Sequence, residues 1–340
     1  MPKIKFEYSK GEVNRAGRTL LTPDTESQIK AKIILDNWRA CHAAPLNSFQ
    51  ISLKRKLSKI DEKCLVSQRL KRTPSILSKL KRNPGMQLAR MQDIGGIRAI
   101  VDNMKKVREI QDSYKNGTRV FSIVNGGKDY INYPKDSGYR SVHMIFKCKD
   151  GFSIELQIRT MVQHAWATAV ETMGTFLNHS LKSSEGPDEW LNFFSPASSA
   201  FAILESTPRA PEHNKFSPKE VLDILLIKEQ ELDVLNKLSG FRVAARRIKD
   251  DKENGQYHLV TLNLDTKMVN IQSYSKDNID KANIEYSKKE ELVNKGENIQ
   301  VVLVSSKTIS SLKKAYPSYF LDSELFAKQI ASVKKSLPKY

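Results

Sequence analysis

Four short stretches carry side chains able to act on a phosphorylated substrate. Asp93-Ile-Gly-Gly-Ile-Arg98 sets a carboxylate ahead of two glycines, and Lys128-Asp-Tyr-Ile-Asn-Tyr-Pro-Lys135 brackets polar and aromatic residues with cations. Gly138-Tyr-Arg-Ser-Val-His143 offers a tyrosine and a histidine, and Ile154-Glu-Leu-Gln-Ile-Arg-Thr160 a second carboxylate. Two glycines let the backbone come close to a ligand, and a carboxylate beside them can hold a hard cation such as Mg²⁺. A glutamate in mid-strand costs stability unless it has a partner or a task. In an extended strand Glu155 and Gln157 share one face, while Ile154, Leu156 and Ile158 point to the core. By the same period Tyr139, Ser141 and His143 share a face. A tyrosine beside a cation-rich turn can stack on a base, and a histidine can bond a phosphate or sugar. Lys128 and Lys135 could clamp phosphates. This inventory suits binding a polyphosphate with a metal and delivering part of it to a hydroxyl acceptor.

The elements that must hold these residues are legible in outline. Residues 24–85 read as mostly helical, with helix-period apolar positions from Thr25 to Arg39 and from Leu46 to Leu65. Strand-like runs follow at Ile97–Val101, Val120–Val124, Ser141–Phe146 and Phe152–Ile158, then a helix at Val162–Phe176. Residues 180–216 read as a partly helical cover. Ser217-Pro218-Lys219-Glu220 is a capping box with proline at the first helical position, and it opens a helix over 218–239 that Gly240 stops. Beyond it, strands are expected at Phe241–Ile248, Leu259–Leu264 and Met268–Tyr274, with a tight turn at Leu264–Lys267. A polar helix near 277–293, a strand at Ile299–Val304 and a last helix spacing Phe326, Ile330, Val333 and Leu337 on one face complete a ββαβα-like module. The expected fold class is α+β, a mixed β-sheet flanked by helices, with a first domain over 1–239 and a second over 240–340.

Composition narrows the classes. The 340 residues, 39% of them hydrophobic, suffice for two or three packed domains. Cys41, Cys64 and Cys148 show no paired spacing, which argues against a zinc site or disulfide framework and for a reducing cytosol. No apolar run approaches the ~20 residues of a membrane span, and the N-terminus lacks a signal pattern, so no membrane role is expected. The formal charge of +18 suggests a polyanionic partner. Half of that excess lies between Lys54 and Arg82, where eleven Lys or Arg face Asp61 and Glu62 for a net of +9. No GxxxxGK[ST] loop, kinase glycine loop or hydrolase nucleophile elbow is present.

The set Arg69-Leu-Lys71, Ser75 to Lys79, Asp93 to Arg98, Asp129 to Lys135, Gly138 to His143 and Glu155 to Thr160 resembles the RelA/SpoT synthetase domain over roughly 35–175. That resemblance implies transfer of pyrophosphate from ATP to a ribose hydroxyl. It implies that Arg69 stacks on adenine, that Lys71, Ser75 and Lys79 hold the ATP phosphates, and that Arg98 supports the site. Asp93 would ligate Mg²⁺, and Glu155 would bind metal or activate the acceptor hydroxyl. Tyr139 would stack on the acceptor base, with Lys135, His143 and Gln157 around it. Such a transfer rests on positioning and charge neutralisation, which these residue types supply.

Two departures bear on the acceptor. Alarmone-making members commonly carry Asn in the turn where this chain has Pro134-Lys-Asp-Ser137-Gly-Tyr139, which weakens GDP or GTP as acceptor. The hydrolase His-Asp motifs are absent as well, so the reverse activity is not expected. The flanks Asn37-Trp-Arg39, His42 to Asn47 and Tyr316-Pro-Ser-Tyr319-Phe-Leu-Asp322 are similar to toxic small alarmone synthetase relatives, especially CapRel-type fused toxin–antitoxins. This implies a toxin of the bacterial cytoplasm that modifies the 3′-CCA end of tRNA and blocks translation. Tyr316 and Tyr319 would obstruct the ATP site until a phage protein, capsid-like, binds the C-terminal domain in anti-phage defence. The alternative enzyme is a (p)ppGpp or (p)ppApp synthetase with a regulatory tail. A third reading is an RNA-binding or sensor protein with a dead synthetase domain, which the presence of Asp93, Glu155 and the cations disfavours.

Overall fold

The computed structural model describes residues 5–115, 121–177, 181, 185–238, 248–250, 257–266, 268–305 and 323–336. Three helices lead the chain: α1 (Lys10–Thr19), α2 (Thr25–Cys41) and α3 (Ala43–Leu57). A capping box joins Ser9 and Glu12 at the start of α1, a helix absent from the expected elements. The strand β1 (Leu65–Leu70) then corrects the helical reading of 24–85. Its conformation is set by its neighbours. It lies between β2 (Gly95–Val101) and β9 (Ile299–Ser305), antiparallel to both, and ladder bonding on two sides outweighs a helix-like apolar spacing.

Between these strands run α4 (Thr73–Arg82), α5 (Met104–Asp112), β3 (Phe121–Asp129), β4 (Val142–Cys148) and β5 (Ser153–Thr160). Helices α6 (Met161–Leu177), α7 (Asp188–Leu204) and α8 (Pro218–Leu232) follow. The box between Ser217 and Glu220 opens α8 as the sequence indicates. The helix stops at Leu232, however, because Asp233 adopts the left-handed conformation at φ 49° and its amide closes on Glu229 O. Gly240, the expected stop, lies outside the described residues. So do residues 241–247 of the next expected strand, of which β6 (Ile248–Asp250) shows the end. The remaining elements are β7 (Tyr257–Asn263), β8 (Val269–Tyr274), α9 (Ile279–Asn294), β9 and α10 (Glu324–Ser336).

The strands form one mixed sheet in the order β3-β4-β5-β2-β1-β9-β7-β8-β6, parallel at β2–β5 and β6–β8 and antiparallel elsewhere. The fold is α+β. One face of its first half carries Ile97, Ala99, Val142, Met144, Leu156 and Ile158 against Phe49 and Leu53 of α3 and Val107 and Ile110 of α5. The alternate residues of the same strands look the other way, and Arg98, His143, Glu155, Gln157 and Arg159 are among them beside Ile100 and Ile145. A second core joins Trp166 of α6, Phe193 and Phe201 of α7 and Leu222 of α8.

Packing crosses residue 240 in the sheet and in the helical core. The sheet continues through the β1–β9 pairing, and Phe326, Ile330 and Val333 of α10 enter the core of α6, α7 and α8. Leu337 lies outside the described residues. Among the described residues no helix is long and apolar enough to cross a membrane.

Candidate active site

Two carboxylates stand at the centre of the candidate site, Asp93 before β2 and Glu155 on β5. Asp93 sits in the turn leading into β2, between Lys71 at the end of β1 and Lys79 on α4. Both ammonium groups donate to Asp93 Oδ2, at 2.9 and 2.8 Å. Asp93 Oδ1 is buried and has no hydrogen-bond partner among the described residues. Lys71 is also held by its backbone, whose N–H donates to Ile94 O at 2.8 Å. Ser75 lies half-buried on the first turn of α4, and Arg69 stands opposite Gly96 in the β1–β2 register. Arg69, Lys71, Ser75, Lys79 and Asp93 thus fall on adjoining elements.

Glu155 is held differently. Its Oε1 meets His143 Nδ1 at 2.8 Å and its Oε2 accepts from Gln157 Nε2 at 2.8 Å. His143 Nε2 in turn meets the Tyr139 hydroxyl at 2.8 Å. Burial works to raise the Glu155 carboxyl, but the hydrogen bond and charge of His143, then Gln157 and Lys71, hold it down at about 2. The register explains the grouping: His143 pairs with Gln157 across β4–β5, and Gly96 and Arg98 pair with Glu155 and Gln157 across β2–β5. Glu155 and Gln157 share a face, as the period-two reading requires.

Tyr139 calls for a correction. Its ring is only 4% exposed and packs in the core with Trp166, so it presents its hydroxyl rather than a stacking face. Burial pushes that phenol up to about 12. Nor do Tyr139, Ser141 and His143 line one strand face, because β4 begins at Val142 and the Ser141 hydroxyl is buried, donating to Ile158 O at 3.1 Å. The cause lies in α7. Ser195 Oγ donates to Asp136 O at 3.0 Å and Ser198 Oγ to Gly138 O at 2.5 Å, drawing the turn onto the helix. Gly138 has φ +84°, and a Cβ there would stand 2.7 Å from Ser198 Cβ, so no larger residue fits.

Lys135 is exposed, its ammonium 4.8 Å from the Tyr130 ring centroid and 5.5 Å from that of Tyr139. Tyr130, given no role from sequence, is half-buried and is therefore the aromatic beside this cation with surface to offer. Its loop is stiff: Arg108 of α5 donates to Asp129 Oδ2 at 2.5 Å and to Asn132 Oδ1 at 2.8 Å.

Below the carboxylates the face is cationic. Arg98 and Arg159 join Arg69 there, and Arg159 is 1% exposed. Its Nε and one terminal nitrogen have no hydrogen-bond partner among the described residues. Burial, then the like charge of Arg98, pushes Arg159 down to about 9. Glu171 works the other way, and a cluster of three guanidinium groups on one face suits a polyanion. Arg159 received no role from sequence, although counting by twos from Glu155 and Gln157 reaches it.

Among the described residues no group of three or more His, Cys, Asp or Glu side chains could hold a metal ion by itself. A Mg²⁺ ion does not need one, since it commonly takes one or two carboxylates plus substrate phosphates and water. The orphaned Asp93 Oδ1 fits that requirement. Tyr316 and Tyr319 lie outside the described residues.

Residues 68–176 match the family model for the region found in RelA / SpoT proteins. The chain carries a RelA/SpoT domain. All eleven donor-side and acceptor-side candidates, from Arg69 to Gln157, fall within that domain. Over 115 residues the chain is 35% identical to the GTP pyrophosphokinase YjbM of Bacillus subtilis, covering 30% of this chain and 52% of that protein. It is 32% identical over 130 residues to the uncharacterized protein Rv1366 of Mycobacterium tuberculosis, covering 37% and 45%. The chain thus spans about half the length of these curated relatives. Among solved structures, the small alarmone synthetase 1 from Bacillus subtilis is 28% identical, covering 50% of this chain and 93% of that one at a TM-score of 0.40.

Proposed function

We propose that the RelA/SpoT domain transfers pyrophosphate from ATP to the 3′-hydroxyl at the CCA end of tRNA. The acceptor oxygen forms a bond to the β-phosphorus, the α–β phosphoanhydride bond breaks, and AMP leaves. One observation carries the reading: two separately held carboxylates, Asp93 in the turn before β2 and Glu155 on β5, both interact with Lys71 beside further cations. Lys71, Lys79, Ser75 and Arg69 hold the donor. Mg²⁺, held through Asp93 Oδ1, would neutralise phosphate charge when bound. Glu155 keeps His143 aimed at the acceptor side, and that pair receives the hydroxyl proton. Lys135 and Tyr130 flank the path of the acceptor.

Ser137 in place of Asn, and the net +9 between Lys54 and Arg82, support a tRNA end over a guanine nucleotide. The rival reading, a (p)ppGpp or (p)ppApp synthetase, is favoured by the likeness to a GTP pyrophosphokinase. In the proposed cycle Tyr316 and Tyr319 obstruct the ATP site at rest, and a capsid-like phage protein binding the C-terminal module releases it, as in CapRel-type toxins.

The test uses ATP labelled at the γ-phosphate, the purified chain or its Tyr319→Ala variant, and tRNA or GDP and GTP, with and without phage capsid protein. Label on tRNA supports the proposal. Label on nucleotide alone overturns it in favour of the rival, and no label under any condition points to a dead synthetase domain.

A further inference from the structure

The C-terminal module reaches into the donor side of the site through a buried ion pair. Glu290 of α9 is 1% exposed and Arg39 of α2 is 3% exposed. Arg39 Nη1 donates to Glu290 Oε2 at 3.0 Å, to Thr73 Oγ1 at 2.9 Å and to Asp36 Oδ1 at 3.2 Å. Burial works against the Arg39 charge, but Glu290, then Tyr286 and Asp36, more than offset it and raise its pKa.

The partners of this pair include backbone groups of the donor side and the Thr73 hydroxyl. Glu290 Oε1 accepts from Thr73 N at 3.0 Å, and Oε2 accepts from Thr73 Oγ1 at 3.0 Å. The first amides of a helix need partners from outside it, and Arg72, the residue at the N-cap of α4, does not cap them with its side chain. A carboxylate from 217 residues away in sequence fills that place. Arg39 Nε meanwhile donates to Lys71 O at 3.0 Å, and Tyr286 OH donates to Glu290 Oε1 at 2.7 Å. The start of α4 and the backbone of Lys71 are therefore fixed by one cluster. Those segments present Lys71, Ser75 and Lys79.

We infer that Glu290 is a positioning residue for the ATP side of the site. Acting through Arg39 and Thr73, it sets the backbone from which Lys71 and Lys79 converge on Asp93. The module is then part of the working donor site, in addition to any control it exerts. A buried ion pair is a poor device for stability alone, since apolar packing of similar volume often does as well. Here its remaining hydrogen bonds go to groups that aim cations. The inference rests on the donor-site reading above and deepens it.

The experiment measures binding of a non-hydrolysable ATP analogue with Mg²⁺ to the full chain, in the native sequence and in the Tyr319→Ala background, together with KM for ATP and for the acceptor. Glu290→Ala is expected to weaken analogue binding about tenfold and Glu290→Gln less, because an amide oxygen can still accept from Thr73 N. KM for the acceptor stays unchanged. A control, Val302→Ala in the neighbouring β9, lowers the melting temperature without changing analogue affinity. Should Glu290→Ala fail to fold, Tyr286→Phe removes one hydroxyl donor and is expected to weaken binding about twofold to threefold. Affinity unchanged or increased in the Glu290 variants, or lost in proportion to melting temperature in every variant, overturns the inference. Absence of binding by both parent chains overturns the donor-site reading itself, and this inference with it.

Discussion

Asp93 and Glu155 are buried to the same depth, their side chains 16% and 14% exposed, yet their surroundings differ in kind. Asp93 has two ammonium groups on one oxygen and, among the described residues, no hydrogen-bond partner on the other. Glu155 has both oxygens engaged, by an imidazole and an amide. Depth does not separate their roles; partners do. An orphaned carboxylate oxygen among cations suits a metal and the phosphates that come with it. A carboxylate saturated by hydrogen bonds suits orienting a histidine, and it would have to surrender a bond to ligate anything.

The comparison can be broken first at Asp93. Asp93→Asn should abolish several kcal/mol of transition-state stabilisation, at least about a thousandfold in kcat/KM, and should weaken ATP binding that depends on Mg²⁺. Glu155→Gln should lower kcat by about 10²-fold to 10³-fold while leaving KM for ATP near its original value. If the two variants show the same pattern in steady-state kinetics, the division of roles fails. Tyr139→Phe removes only the hydroxyl on His143 and keeps the buried ring, so a loss of about tenfold or less is expected, with the melting temperature nearly unchanged. A much larger loss would mean that the hydroxyl does more than hold His143.

The smallest effect concerns acid stability. The Glu155 carboxyl lies at about 2 against an ordinary 4.5, so its contribution is complete above about 4.5 and is lost as pH falls toward about 2. Glu155→Gln should flatten that part of the curve of unfolding free energy against pH. A slope equal to that of the native chain would mean that His143 and Gln157 do not hold the carboxylate as described.

Much of the site was legible because it lies on strands. Counting by twos groups Glu155 with Gln157, and the structure places both beside His143. The burial of Tyr139 was not legible, because it depends on α7 gripping the turn through Ser195 and Ser198, some sixty residues further along the chain. β1 was missed for a related reason. Leu65-Val-Ser-Gln-Arg-Leu70 shows no clean alternation, and its state is decided by neighbours from distant parts of the chain. The start of α1 was in plain view, since Ser9 and Glu12 have capping-box spacing. The terminal helix was read correctly at Phe326, Ile330 and Val333, but a period cannot say that Phe326 packs against Phe193 and Phe201.

The division between the two carboxylates meets its most direct test in metal binding. Mn²⁺, used in place of Mg²⁺, can be titrated by electron paramagnetic resonance into the Tyr319→Ala chain in the presence of a non-hydrolysable ATP analogue, with Asp93→Asn or Glu155→Gln added. The account predicts that Asp93→Asn loses the bound Mn²⁺ signal while Glu155→Gln retains it at nearly the same affinity. Equal loss in both variants, or loss in Glu155→Gln alone, would contradict it.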